Sequence, residues 1–131
     1  MIKKYEKDSL KRIQRRQFVR VKVTLDLIVI VKSPTNNFSP FTTVTVDLSG
    51  GGLLMVVPKG VPIKLDDVLH ISLTLPNDDH EILNLPAKVV RLSKSNNITR
   101  ASVAFINLPI QTEQKLIQYC FLFKDKKEEK K

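Results

Sequence analysis

From Val19 to Val31 every odd-numbered residue is apolar (Val19, Val21, Val23, Leu25, Leu27, Val29, Val31), while the even positions open with Arg20, Lys22, Thr24 and Asp26. A period of two sustained over such a length is the pattern of a strand with one buried face, and a helix cannot satisfy it. The same rhythm returns along the chain. Phe41 to Leu48 sets Val44, Val46 and Leu48 against Thr43, Thr45 and Asp47, and Leu53 to Val57 is a short apolar run. Asp67 to Leu75 alternates Leu69, Ile71, Leu73 and Leu75 with polar residues, and Ile82 to Leu92 and Ile98 to Ile106 follow. Loop-forming residues separate the runs: two prolines and Asn36-Asn37 in 33–40, three glycines at 50–52, Pro76-Asn77-Asp78-Asp79, and Ser93 to Asn97. Six strands joined by short turns predict an all-β fold, a six-stranded antiparallel barrel that is closed or nearly so.

After Ile106 the period changes. Ile110, Leu116, Ile117, Cys120 and Phe121 fall at helical spacing behind Asn107 and Pro109, so one C-terminal helix is expected to lay an apolar stripe on the barrel. A chain of 131 residues supports one domain, with 1–14 a basic tail or linker, 15–123 the folded unit and 124–131 a charged tail. The single cysteine, Cys120, excludes an internal disulfide and a cysteine-rich zinc site, and its helical position reads as core packing. No apolar h-region marks the N-terminus, and the longest apolar run is too short to span a bilayer, so no membrane insertion is expected and a cytoplasmic location is the consistent reading.

The net charge of +9 is unevenly placed. Residues 1–22 hold nine basic and two acidic side chains, 23–123 hold eight of each, and 124–131 hold five and three. A nucleic-acid-binding domain would more often spread its basic residues over a folded face. A local cluster at one end suits a small anionic ligand, and no DNA or RNA is expected.

Two short motifs carry the candidate chemistry. Arg15-Arg16-Gln17-Phe18-Val19-Arg20 has an R-x-x-x-R spacing, Arg16 and Arg20, preceded by a further arginine, Arg15. An arginine fork matches a phosphate bidentately and also grips the O6/N7 edge of guanine, which lysine does not. Asp47-Leu48-Ser49-Gly50-Gly51-Gly52 ends a strand in a D-x-S-x-x-G turn. Asp47 can accept from the N1–H and N2–H₂ of guanine, Ser49 can bond phosphate or base, and Gly50, Gly51 and Gly52 leave room for a flat ligand against the backbone. A plain tight turn capped by Asp47 and Ser49 is the alternative.

In this order the motifs resemble those of the PilZ domain family, bacterial receptors for the dinucleotide second messenger cyclic di-GMP. Arg16 and Arg20 match its first motif, and Asp47, Ser49 and Gly52 its second. The resemblance covers about residues 12–123, with Ser102 and Ala104 standing where many members have glycine and a charged residue. It implies a split barrel with a C-terminal helix. No Ser/His/Asp or Cys/His constellation is evident in the sequence, so a non-catalytic chain without a cofactor is expected. The ligand that the resemblance implies is cyclic di-GMP, bound as a stacked pair of molecules where Arg15 precedes the motif; Arg15 as a solvated linker charge stays open. Arg12-Ile13-Gln14-Arg15-Arg16 further resembles the linker of two-domain flagellar-brake receptors, which implies a protein partner such as a flagellar motor component. A barrel binding single-stranded nucleic acid, or an interaction domain contacting an acidic partner, is the competing class.

Other polar groups offer less. His70 has no second histidine nearby, and Asp78-Asp79-His80-Glu81 lacks the spacing of a calcium loop.

Overall fold

The computed structural model describes residues 18–32 and 40–129, with the side chains of 125–129 left aside. Seven strands and one helix follow in order: β1 (Val21–Lys22), β2 (Asp26–Lys32), β3 (Phe41–Leu48), β4 (Gly52–Val57), β5 (Val68–Thr74), β6 (Ile82–Ser95), β7 (Ile98–Phe105) and α1 (Ile110–Glu129). All pairings are antiparallel. The order β3-β2-β5-β6-β7-β4 is closed by a β3–β4 pairing, which makes a six-stranded barrel with β1 as an extra strand. Closure leaves no long sheet edge exposed. The β6–β7 hairpin turns at Asn96 and Asn97, both at positive φ (52° and 66°), a conformation that asparagine tolerates better than most residues.

The barrel interior is aliphatic. Leu27, Val29, Leu53, Met55, Leu69, Ile71, Leu73, Leu85 and Val89 are essentially sealed from solvent. The odd-inward phase expected from Val19 to Val31 holds, since Val21, Leu25, Leu27, Val29 and Val31 are all buried. The continuous strand expected there does not. It breaks at Val23–Leu25, with β1 pairing the end of β3 (Val21↔Leu48, Lys22↔Asp47) and β2 its beginning (Asp26↔Val44 to Val29↔Phe41).

Thr45 fills this break. Its Oγ1 accepts from Leu25 N at 2.9 Å and donates to Val23 O, and its own backbone N–H donates to Leu25 O at 3.0 Å. The Thr43/Thr45 face of β3 was expected to point outward, yet Thr45 is buried. The reason is a bulge: Thr45 pairs with Met55 and Asp47 with Leu54, leaving Val46 as the extra residue. The bulge reverses the phase, so Thr45 and Leu48 both face the core.

Helix α1 packs on the end of the barrel near Leu48. Leu116 and Cys120, one turn apart, are fully buried, and Tyr119 and Phe123 pack beside them. Ile110 and Phe121, expected on the packed stripe, lie outside it at 73% and 54% exposure. The helix also runs on through most of the expected charged tail. Cys120 Sγ donates to Leu48 O at 3.5 Å, and burial pushes its thiol up to about 11. It is a packing residue, with little thiolate at neutral pH.

Thr45→Val keeps the shape of the side chain but leaves Leu25 N–H and Val23 C=O without their partner. Each orphaned buried group costs about 1–3 kcal/mol. Chemical denaturation should show a loss of that size, and an unchanged midpoint would mean that the Thr45 hydroxyl does not hold the break together.

Candidate functional site

The bulge at Val46 also creates the site. Thr45 and Asp47 share odd parity, so an unbulged strand would send both inward. With Val46 inserted, Thr45 faces the core and Asp47 faces out, in register with Lys22 of β1. Arg20, one residue before β1, reaches it: Arg20 Nη1 donates to Asp47 Oδ1 at 2.9 Å. The Asp47 side chain is 16% exposed and that of Arg20 58%, so the pair is half sheltered, with the guanidinium side open. Asp47 Oδ2 accepts no hydrogen bond among the described residues. The two motifs, 27 positions apart, therefore meet through a charge-assisted hydrogen bond.

Beside this pair lies a groove of ≈ 1180 Å³. Its floor is made of small residues, Gly51 in the turn, Gly52 at the start of β4, and Ser102 and Ala104 on the outward face of β7. Phe18 and Arg20 line it from the N-terminal segment, Val90 and Arg91 from β6, and Leu108 and Glu113 from the entry to α1. Arg20, Ser49, Gly50, Gly51 and Gly52 are thus brought together around one space, with Asp47 fastened to Arg20. Arg15 and Arg16 lie outside the described residues.

The turn is built by its own side chains. Ser49 is 4% exposed, and its Oγ accepts from Gly51 N and donates to Gly52 O, both at 3.2 Å. Ser49 N donates to Gly52 O at 2.9 Å. The hydroxyl thus shapes the loop whatever else it contacts. The glycines also serve the fold. A Cβ on Gly52 would stand 2.2 Å from Val103 O, and one on Gly50 2.6 Å from Ile117 Cγ1. Gly52 is required by the close β4–β7 pairing and Gly50 by the helix. On Gly51 a Cβ would meet the Phe18 ring, at 3.1 Å.

Two features of the groove were not legible as functional from the motifs. Phe18 sits inside the arginine motif and lays its ring on Gly50 and Gly51, which ties the Phe18–Arg20 end of the motif to the glycine turn. Arg91 owes its place to a second bulge. Val89 pairs with Val103 and Arg91 with Ser102, leaving Val90 extra. The sequence carries a signal for it: the apolar phase shifts from Leu83, Leu85, Ala87 and Val89 to Val90 and Leu92. Among the described residues no cluster of His, Cys, Asp and Glu could hold a metal. No helix among them is long and apolar enough to cross a membrane.

The fold is a six-stranded antiparallel barrel with an arginine–aspartate pair beside an external groove. The PilZ domain family model matches residues 14–122, most of the chain, and the chain belongs to the PilZ family. The flagellar brake protein YcgR of Azoarcus sp. (strain BH72) is 30% identical over 126 residues, covering 86% of this chain and 47% of that protein. Among solved structures, the Bacillus subtilis inhibitor of motility (MotI/DgrA) matches with a TM-score of 0.75 at 23% identity, over 87% of this chain and 53% of that one. YcgR from Escherichia coli in complex with c-di-GMP matches with a TM-score of 0.72 at 18% identity, over 88% of this chain and 49% of that one. The chain spans about half the length of the curated relatives it matches.

If Phe18 pins the arginine segment, Phe18→Ala should expose it. Trypsin should then cleave after Arg20 several times faster, while global stability falls by no more than about 1–3 kcal/mol for a half-buried ring. Equal cleavage rates in the two proteins would rule out the anchoring role.

Proposed function

We propose that this chain is a cyclic di-GMP receptor domain whose ligand binds in the groove beside the Arg20–Asp47 pair. The observation that carries the reading is that ion pair. It joins the two motifs at the mouth of a groove with a small-residue floor. Arg20 keeps donors free beyond the one given to Asp47, enough for a phosphodiester or a guanine edge. Asp47 keeps Oδ2 for the guanine N1–H and N2–H₂. The pairing also fixes the Arg20 guanidinium before the ligand arrives, which lowers the ordering cost of binding. Ser49 acts by holding the turn whose Gly50, Gly51 and Gly52 backbone lines the groove.

Arg15 and Arg16 complete the cation set. Three arginines in six residues repel one another until an anion is shared among them. In this reading the ligand draws the chain ahead of Phe18, with Arg15 and Arg16, onto the barrel and so reshapes the surface that a protein partner reads, an order–disorder device. Two ligand molecules per chain, stacked, fit both the extra charge of Arg15 and the groove volume of ≈ 1180 Å³, which exceeds the ~300–1,000 Å³ of ordinary small-molecule clefts. The relatedness to a flagellar brake protein supports a motility partner such as a flagellar motor component.

Calorimetry with cyclic di-GMP tests the assignment. The unmutated chain should saturate at two ligands, and Arg15→Leu should bring the count toward one. Arg16→Ala or Arg20→Ala should cost tenfold or more in affinity, since a charge-assisted hydrogen bond contributes about 1.5–3 kcal/mol. Asp47→Ala should narrow the preference for cyclic di-GMP over cyclic di-AMP. Affinity unchanged in both the Arg16 and Arg20 variants would sink the site.

A further inference from the structure

The second bulge places a charge that neither motif contains. In β6, Leu83, Leu85, Ala87 and Val89 face the core, and without interruption Arg91 would follow them inward. Val90 is the extra residue, so Leu92 returns to the core side and Arg91 turns out. The register then aligns one row across the outside of the barrel: Arg91 on β6, Ser102 on β7, Leu54 on β4, Asp47 on β3 and Lys22 on β1. Arg91 and the Asp47–Arg20 pair stand three strands apart in that row, about 14 Å at ~4.8 Å per strand. Both arginines line the same groove, from opposite sides of its small-residue floor.

Their electrostatic states differ. Arg20 is already paired with Asp47, whereas Arg91 is exposed and has no hydrogen bond or ion pair among the described residues. Glu113 is the one acidic side chain among the described residues lining the groove, and it projects from the helix entry. Arg91 is therefore the uncompensated cation of the described groove. Bulges in strands commonly re-aim a side chain at a functional site.

We infer that Arg91 is a further ligand-contacting residue, which pairs with a phosphodiester of the cyclic dinucleotide from the β6 wall while Arg20 holds the opposite end. This rests on the receptor reading above and adds a third wall to it. A ligand with two phosphodiesters lying across the floor meets a cation at each side, so Arg91 sets affinity through charge while Asp47 sets the choice of base.

Calorimetry with cyclic di-GMP at low and high salt, on the full chain, tests this. Arg91→Ala should lower affinity tenfold or more and make it less sensitive to salt, because one screened attraction has been removed. Arg91→Lys should recover part of the loss, since it restores the charge without the planar fork. Thermal melting of the unliganded variants should match the unmutated protein, because the side chain is exposed. Arg91→Ala within twofold of the unmutated affinity, in a series where Arg20→Ala loses binding, would overturn the Arg91 role and leave the receptor reading intact. An unmutated chain that takes up no cyclic di-GMP would overturn both.

Discussion

One inserted residue in a strand, Val46, decides which way the side chains on either side of it face. The extra residue lets Thr45 face the core and Asp47 face out within three positions. Thr45 then satisfies the backbone of the break between β1 and β2, through Leu25 N and Val23 O. That break frees β1 to pair with the end of β3, which sets Lys22 opposite Asp47 and brings Arg20 within hydrogen-bond reach of its carboxylate. Packing, backbone satisfaction and the ion pair thus depend on one local irregularity, the kind of device by which sheets place functional groups without surrendering a core.

The groove follows from what its floor lacks. Gly52 is held by a Val103 carbonyl that no side chain would tolerate, and Ser102 and Ala104 contribute little bulk beside it. Glycine here is a packing requirement that also leaves the groove floor open. The helix contributes in the same way. Ile117 fills the space next to Gly50, while Leu116 and Cys120 lock the helix to the Leu48 end of the barrel. The turn therefore has a rigid body behind it, whereas the arginine segment is tethered to it by the Phe18 ring and the Arg20–Asp47 pair. Of that segment the described part is Phe18 to Arg20, and both of its ends are fastened, Phe18 by its ring and Arg20 by its guanidinium.

Much of this was legible in the sequence. Alternation at Val19–Val31 and Asp67–Leu75 reports inward faces correctly, because a residue that faces an aliphatic core is apolar unless a neighbouring backbone group needs its hydrogen bond. The motif residues Arg20 and Asp47 pair a fork with a carboxylate, and the fold brings those two into contact. The phase of β3 is not legible in the sequence, because Val44 and Val46 look like core residues and Thr45 does not. Only the unsatisfied backbone of a neighbouring strand break makes a buried threonine favourable. Ile110 and Phe121 matched helical spacing, yet the helix meets the barrel along Leu116 and Cys120, a choice made by the partner surface.

By itself, then, the sequence determined the class of fold, the faces of its regular strands, the closing helix and the residue types able to grip a phosphate or a guanine, because these depend on local periodicity and side-chain chemistry. The tertiary structure alone decided which charges share a groove. Two one-residue insertions reverse the parity of their strands, and pairing registers between distant segments set Arg20 against Asp47 and place Arg91 three strands away across the same floor. Those are relations between strands, fixed by hydrogen-bond register and close backbone packing, and a reading confined to one segment at a time cannot contain them.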